Sequence, residues 1–279
     1  VADHSCPSAL RWLIGAELAH YRNAADLSLA DLSRLVEISK SKLGHLESGR
    51  LNQYPVDISK ILKACGAERQ DIDRLNSLTG RAEEGSWVGA WTDVVPDWLR
   101  TMVGLESLAR NEFVFEPILL PGLIQTESYA RELTIAASRV RPDHSERLVE
   151  FRMQRARLLS KDEPLELHAV FNEQALNLRV GDQEILRDQY LHLLKLAELP
   201  NVTLQVMRPE GGPHSAVTGQ FMLLEFADAR PISYVEMQDG AVFVNDSDRV
   251  RTYSMSTQSL ERIALSPGET SALIERLIR

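Results

Sequence analysis

Between residues 28 and 50 the sequence reads SLADLSRLVEISKSKLGHLESGR, and its polar residues fall where chemistry with a polyanion could be done. If residues 40–48 form a helix, Leu43 and Leu46 face inward, leaving Lys40, Ser41, Lys42, Gly44 and His45 on the outer side. Ammonium and hydroxyl groups on such a ridge can bond phosphate oxygens or the edges of bases. A glycine there lets the backbone itself approach closely. Ser39 at the head of the ridge adds a helix N-terminus, whose free N–H groups suit a phosphate. Arg34, Arg50 and Asn52 flank it as further phosphate contacts. Nothing comparable points to catalysis. His144, His168, His192 and His214 lack ligand spacing, the loop PEGGPHS at 209–215 lacks the lysine and strand-to-helix setting of a phosphate cradle, and no nucleophile sits beside a base. No enzyme activity, catalytic residue, metal or cofactor is expected.

The elements that must hold this ridge are short helices. Leu10, Leu13, Ile14, Leu18 and Tyr21 give helical spacing over residues 9–23. Ser28 can cap a second helix with Asp31 answering at N3, and Leu29, Leu32, Leu35 and Val36 give that helix an apolar face. Ser39 caps the third, which Gly49 ends. Leu32, Leu35, Ile38, Leu43 and Leu46 are expected to face inward and lock the second and third helices together. A fourth helix covers 56–65 and stops at Gly66, and a fifth runs from 69 to about 78 and stops at Gly80.

From 81 to 93, RAEEGSWVGAWTD loses periodicity and marks a boundary. Residues 96–110 then read as a helix, 115–124 as an extended stretch broken by prolines, and 126–137 and 143–160 as helices. Period-two segments at 165–171, 202–207, 221–226 and 232–235 read as strands, with helices at 182–199, 246–263 and 267–278. The expected fold class is therefore α+β. An all-α five-helix domain at 1–80 and a linker at 81–96 precede a mixed α/β domain at 97–279.

Composition narrows the class further. The 279 residues are 44% hydrophobic and 25% charged, as in a folded globular protein. No long apolar run and no signal-like order of residues is present, so the expectation is a cytoplasmic protein with no membrane contact. Cys6 and Cys65 are too few for a disulfide framework and are not spaced for zinc; Cys6 reads as a terminal thiol and Cys65 as a small core residue. The net charge is −9, yet residues 1–66 carry eight Lys/Arg against seven Asp/Glu, a balance of +1 that leaves −10 downstream. Phosphate contact must come from the first quarter of the chain.

The pattern Ile38-Ser39-x-Ser41-x-Leu43-x-x-Leu46-Glu47-x-Gly49 resembles the lambda repressor/Cro type of helix-turn-helix, also called the xenobiotic-response-element (XRE) family. That resemblance implies double-stranded DNA as partner and a structural ion pair between Glu47 and an arginine of the first helix, best matched by Arg22. Leu29 stands where the family usually has a phosphate-contacting glutamine. Glu37 and Asp26 stand where it has turn glycines. Stretches at 98–106, 115–130, 200–206 and 219–226 are similar to an actinobacterial regulator family that joins this element to a C-terminal domain of unknown function. Many of its members are encoded beside a very small partner protein in toxin-antitoxin-like pairs. No catalytic residues come with it.

The candidate DNA-contacting set is therefore Ser28, Arg34, Ser39, Lys40, Ser41, Lys42, Gly44, His45, Arg50 and Asn52, with Arg22 and Glu47 as the structural pair. The expected function is transcription regulation by a homodimer, since one short helix reads few bases and two half-sites restore affinity. The second domain would supply the dimer interface and bind a small partner protein or ligand. The alternative is an antitoxin-like interaction module whose DNA contact is autoregulatory.

Overall fold

The computed structural model describes residues 7–81, 87–137 and 140–278; Cys6 and residues 82–86 of the expected linker lie outside them. The chain divides into two compact units, Val1–Ala109 with Glu225–Pro231, and Arg110–Leu224 with Ile232–Arg279.

The first unit is helical: α1 (Pro7–Ala24), α2 (Leu29–Val36), α3 (Lys40–Glu47), α4 (Pro55–Ala64), α5 (Arg69–Arg81), a short 3-10 turn (Trp87–Trp91) and α6 (Asp97–Leu108). Helix α1 is the hub, packing on α3, α4, α5 and α6. Its Leu10, Ile14 and Leu18 are buried together with Leu32, Val36, Leu43, Leu46, Ile58 and Leu62. Leu35, expected to face inward, is instead 60% exposed, because the helical turn brings Val36 onto the buried face in its place. Pro55 opens α4 at a first-turn position, where its missing N–H costs nothing. Helix α5 continues through Gly80 to Arg81 instead of stopping there; Leu75, Leu78 and Thr79 are buried and hold its last turns in place.

The segment Glu225–Pro231 belongs to this unit through a buried carboxylate. Glu17 Oε1 accepts from Arg230 N and Nε, both at 3.0 Å, and Glu17 Oε2 accepts from Arg74 Nη2 at 3.2 Å. The Glu17 side chain is only 3% exposed, so these donors stand in for its lost water.

The second unit is built on a six-stranded sheet: β1 (Asn111–Glu116), β2 (Glu166–Asn172), β3 (Val202–Met207), β4 (Phe221–Glu225), β5 (Ile232–Met237) and β6 (Gly240–Val244), in the order β3-β2-β1-β4-β5-β6. Strand β2 runs parallel to β1 (Asn111↔Glu166 to Glu116↔Phe171) and to β3, whereas β4–β5 and β5–β6 are antiparallel. The parallel half needs crossovers, and α7 (Glu127–Ala136) with α8 (Ser145–Ala156), then α9 (Glu173–Asn177) with α10 (Gln183–Ala197), supply them. Helices α11 (Ser247–Ile263) and α12 (Pro267–Ile278) follow the sheet. Phe113, Phe115, Val170, Phe221 and Leu223 form one core with Val250 and Leu260 of α11, while α10 packs on α12 and β3. The architecture is α+β, as the alternation of periods implies. Two of its strands, β1 and β6, lie outside the segments whose period reads as strand.

Candidate nucleic-acid interface

Local chemistry fixes the α2–turn–α3 element. Ser28 Oγ accepts from Asp31 N at 3.1 Å, and Asp31 Oδ2 accepts from Ser28 N at 3.3 Å, a complete capping box. Ser28 Oγ also donates to Asp31 Oδ2 at 2.5 Å, and this bond, then the one from Ser28 N, with Arg34 helping, hold the Asp31 carboxyl below its usual range. Glu37 ends α2 in the left-handed region at φ 50, as Asp26 does at φ 55 in the α1–α2 connection. Both positions suit glycine, so the sequence accepts local strain to make these turns. Ser33 Oγ donates to Ile38 O at 2.6 Å across the turn, and Ser39 Oγ accepts from Lys42 N at 3.2 Å to start α3.

Helix α3 is then seated on α1. Arg22 donates from Nε to Glu47 Oε1 at 2.6 Å and from Nη2 to Glu47 Oε2 at 2.9 Å, a two-point bond between side chains 14% and 12% exposed. Arg22 Nη1 also donates to Leu27 O at 2.9 Å, tying in the α1–α2 connection. The seat is tight enough to need glycine twice. A Cβ at Gly15 would lie 2.4 Å from Glu47 O, and one at Gly49, where φ is +68, would lie 2.7 Å from Trp12 N. Sequence reasoning missed Gln53, whose buried side chain donates Nε2 to Arg11 O at 2.8 Å and to Leu46 O at 2.7 Å. Nothing in its local pattern marks it, because both acceptors are set by tertiary packing.

With Leu43 and Leu46 buried, the outer side of α3 is open, and Leu29, Lys40, Ser41, Gly44, His45, Ser48 and Arg50 line one broad concavity. Five residues of the expected set (Lys40, Ser41, Gly44, His45 and Arg50) thus come together. The other five sit differently. Ser28 and Ser39 are committed as caps. Arg34 is exposed and ion-paired with Asp31 one helical turn away. Lys42 Nζ lies 2.8 Å from Asp57 Oδ2 of α4, and Asn52 Oδ1 accepts from Arg11 Nη1 at 3.0 Å. Of the four cations expected to meet phosphate, Arg34 and Lys42 therefore carry an acid of the chain beside them. Leu29 and Ser48 join the surface without having been singled out as part of it.

A helix-turn-helix domain model matches residues 13–75, and the model of a domain of unknown function (DUF5753) matches residues 99–276. The chain belongs to the DUF5753 family. No curated protein and no solved structure matches it. This DUF5753 protein thus joins a helix-turn-helix, a DNA-binding element, to a C-terminal region whose role the family description leaves open. Among the described residues no helix is long and apolar enough to cross a membrane, and no group of three His, Cys, Asp or Glu residues could hold a metal ion.

One strongly perturbed acid of the DUF5753 region is Glu116 at the end of β1. Burial first, and then the Glu236 carboxylate, push its pKa up to about 7, against the opposing pull of Arg155 and Arg152. The histidines of this region are scattered. His168 Nε2 lies 2.6 Å from Gln205 Oε1, His214 Nδ1 accepts from Ala216 N at 3.2 Å, and burial holds the pKa of His192 and of His214 down.

Proposed function

We propose that this protein is a sequence-specific transcription regulator of the lambda repressor/Cro type that binds double-stranded DNA as a homodimer, α3 of each protomer entering the major groove. The observation that carries the reading is the single exposed surface on which Lys40, Ser41, Gly44, His45 and Arg50 meet, on a helix capped at its N-terminus and clamped to α1 by Arg22 and Glu47. In this reading Ser41 and His45 face base edges, and Lys40 and Arg50 hold phosphates. Lys42 and Arg34 reach phosphate only by leaving Asp57 and Asp31. The protein works in the cytoplasm and has no catalytic role.

The test is selection of a preferred duplex from randomised DNA, followed by fluorescence anisotropy titration of the selected and a scrambled duplex at several salt concentrations. Two phosphate-holding cations per protomer give a dimer a log–log salt slope of about −4. Equal affinity for both duplexes contradicts the proposal.

A second reading makes partner binding the main act and DNA contact autoregulatory, as in an actinobacterial toxin-antitoxin-like pair. The acidic balance downstream of residue 66 favours it, as do Val217, Met237 and Met255 of the DUF5753 region, which are 68%, 45% and 64% exposed. Co-purification of a small protein encoded nearby, at one copy per chain, would support it. Full operator affinity and specificity without any such partner argues for the first reading.

A further inference from the structure

Seven residues line the concavity over α3, and six of them are Lys40, Ser41, Gly44, His45, Ser48 and Arg50, whose side chains are polar or absent. The seventh is Leu29, the first residue of α2, held at that spot by the capping box of Ser28 and only partly buried. An isobutyl group on a face built for phosphates and base edges can donate and accept nothing. The fully buried residues of α2 are Leu32 and Val36, and Leu29 is only partly covered by the chain.

Gly44 is anomalous in a complementary way. It sits inside α3, where glycine is a poor helix former, yet a Cβ there would meet nothing within 4 Å. Gly15 and Gly49 are required by backbone of the same chain, but Gly44 is not. The missing side chain leaves room for something from outside, in the same concavity that Leu29 borders.

The major-groove edges of the four bases present donors, acceptors and one apolar group, the C5 methyl of thymine. We propose that Leu29 reads sequence: it packs against a thymine methyl that enters beside Gly44, so each half-site prefers a thymine there. This rests on the helix-turn-helix reading above and adds to it a residue of α2, outside α3, that selects a base.

The test uses the full chain and the selected operator, with each thymine replaced in turn by deoxyuridine, which removes the methyl and leaves every hydrogen bond of the pair. Anisotropy titrations compare the wild type with Leu29→Ala and Leu29→Gln, and thermal melts check that both variants fold. At one thymine per half-site the replacement should weaken wild-type binding about fourfold, the worth of one buried methyl group, while both variants are indifferent to it. Because the thymine scan on the wild type needs no variant, the proposal stays testable if neither variant folds. Wild-type indifference at every thymine overturns it, and so does an equal loss in wild type and variants, which would assign the methyl to another residue. A chain that selects no sequence removes the helix-turn-helix reading and this proposal together, whereas an operator indifferent to methyl removal sinks this proposal alone.

Discussion

Replacing Gly44 with alanine should move stability and DNA affinity in opposite directions. Inside a helix, glycine is worse than alanine by about 1 kcal/mol, because its backbone loses more freedom on folding. The added methyl group at 44 touches nothing within 4 Å, so no packing penalty offsets that gain. The first unit should therefore become more stable by about 0.5–1 kcal/mol, which for a unit of roughly this size raises its melting temperature by about 3–6 °C. The same methyl projects into the concavity shared by Ser41, His45 and Leu29, where the account seats the edge of a base pair. Overfilling a fitted contact costs about 1–3 kcal/mol, so operator affinity should drop at least fivefold. Circular dichroism melts give the first quantity and anisotropy titrations the second. Higher stability with unchanged affinity would refute the close approach of DNA to α3. Lower stability would refute the claim that the protein's own packing leaves this position open.

Arg22→Ala should destabilise the first unit by about 2–3 kcal/mol in urea titrations, since Glu47 then loses both charge-assisted bonds in a half-buried site; adding Glu47→Ala should cost little more, and full additivity would deny the coupling. Asp57→Asn releases Lys42 and should strengthen binding to random duplex by about twofold to fivefold at low salt, an effect that disappears in the Lys42→Ala background. Glu17→Ala leaves Arg74 and Arg230 facing an empty site, and a loss of about 3 kcal/mol is expected in the melt of the first unit. The acid Glu116 keeps its proton in the folded chain up to about pH 7, whereas the unfolded chain releases it near 4.5. The native state thus binds more protons in that window. Stability should fall as pH rises from 5 to 7.5, by up to about 3 kcal/mol, and Glu116→Gln should abolish that part of the slope.

The helical part of the fold was legible because its signals are local. Ser28 with Asp31, Ser39, Gly49 and Gly66 are caps and stops written within a few residues of the ends they define. Gly80 shows the limit of such signals: the burial of Leu75 and Leu78 carries α5 past it. Strand β1 was hidden for a different reason. Glu112, Phe113, Val114 and Phe115 are all buried, so a strand covered on both faces shows no alternation, and the prolines at 117 and 121 break the pattern directly after it. Strand β6 is five residues long and starts with glycine, and the two residues of its hairpin turn, Gln238 and Asp239, carry no Asn-Gly or Asp-Gly signature.

At the interface, sequence spacing identified α3 and its outer face, because Leu43 and Leu46 can face only one way. It could not show that Lys42 leans on Asp57, since α4 reaches that position only after the chain has turned, or that Gln53 fastens the backbone of α3 to that of α1. The Arg34–Asp31 pair, one turn apart on α2, was within reach of spacing alone. Leu29 departs visibly from the family pattern, yet only the fold puts it beside Gly44.

In the proposed binding mode α3 of this chain inserts into a DNA major groove. Amide NMR of the deuterated full-length chain, titrated with the selected duplex, tests it directly. The largest shifts are expected on residues 39–45, with smaller ones at Leu29 and Arg50, while α5 and the sheet of the second unit stay unmoved. Shifts centred on α4, α5 or the second unit, with residues 39–45 unperturbed, would contradict it.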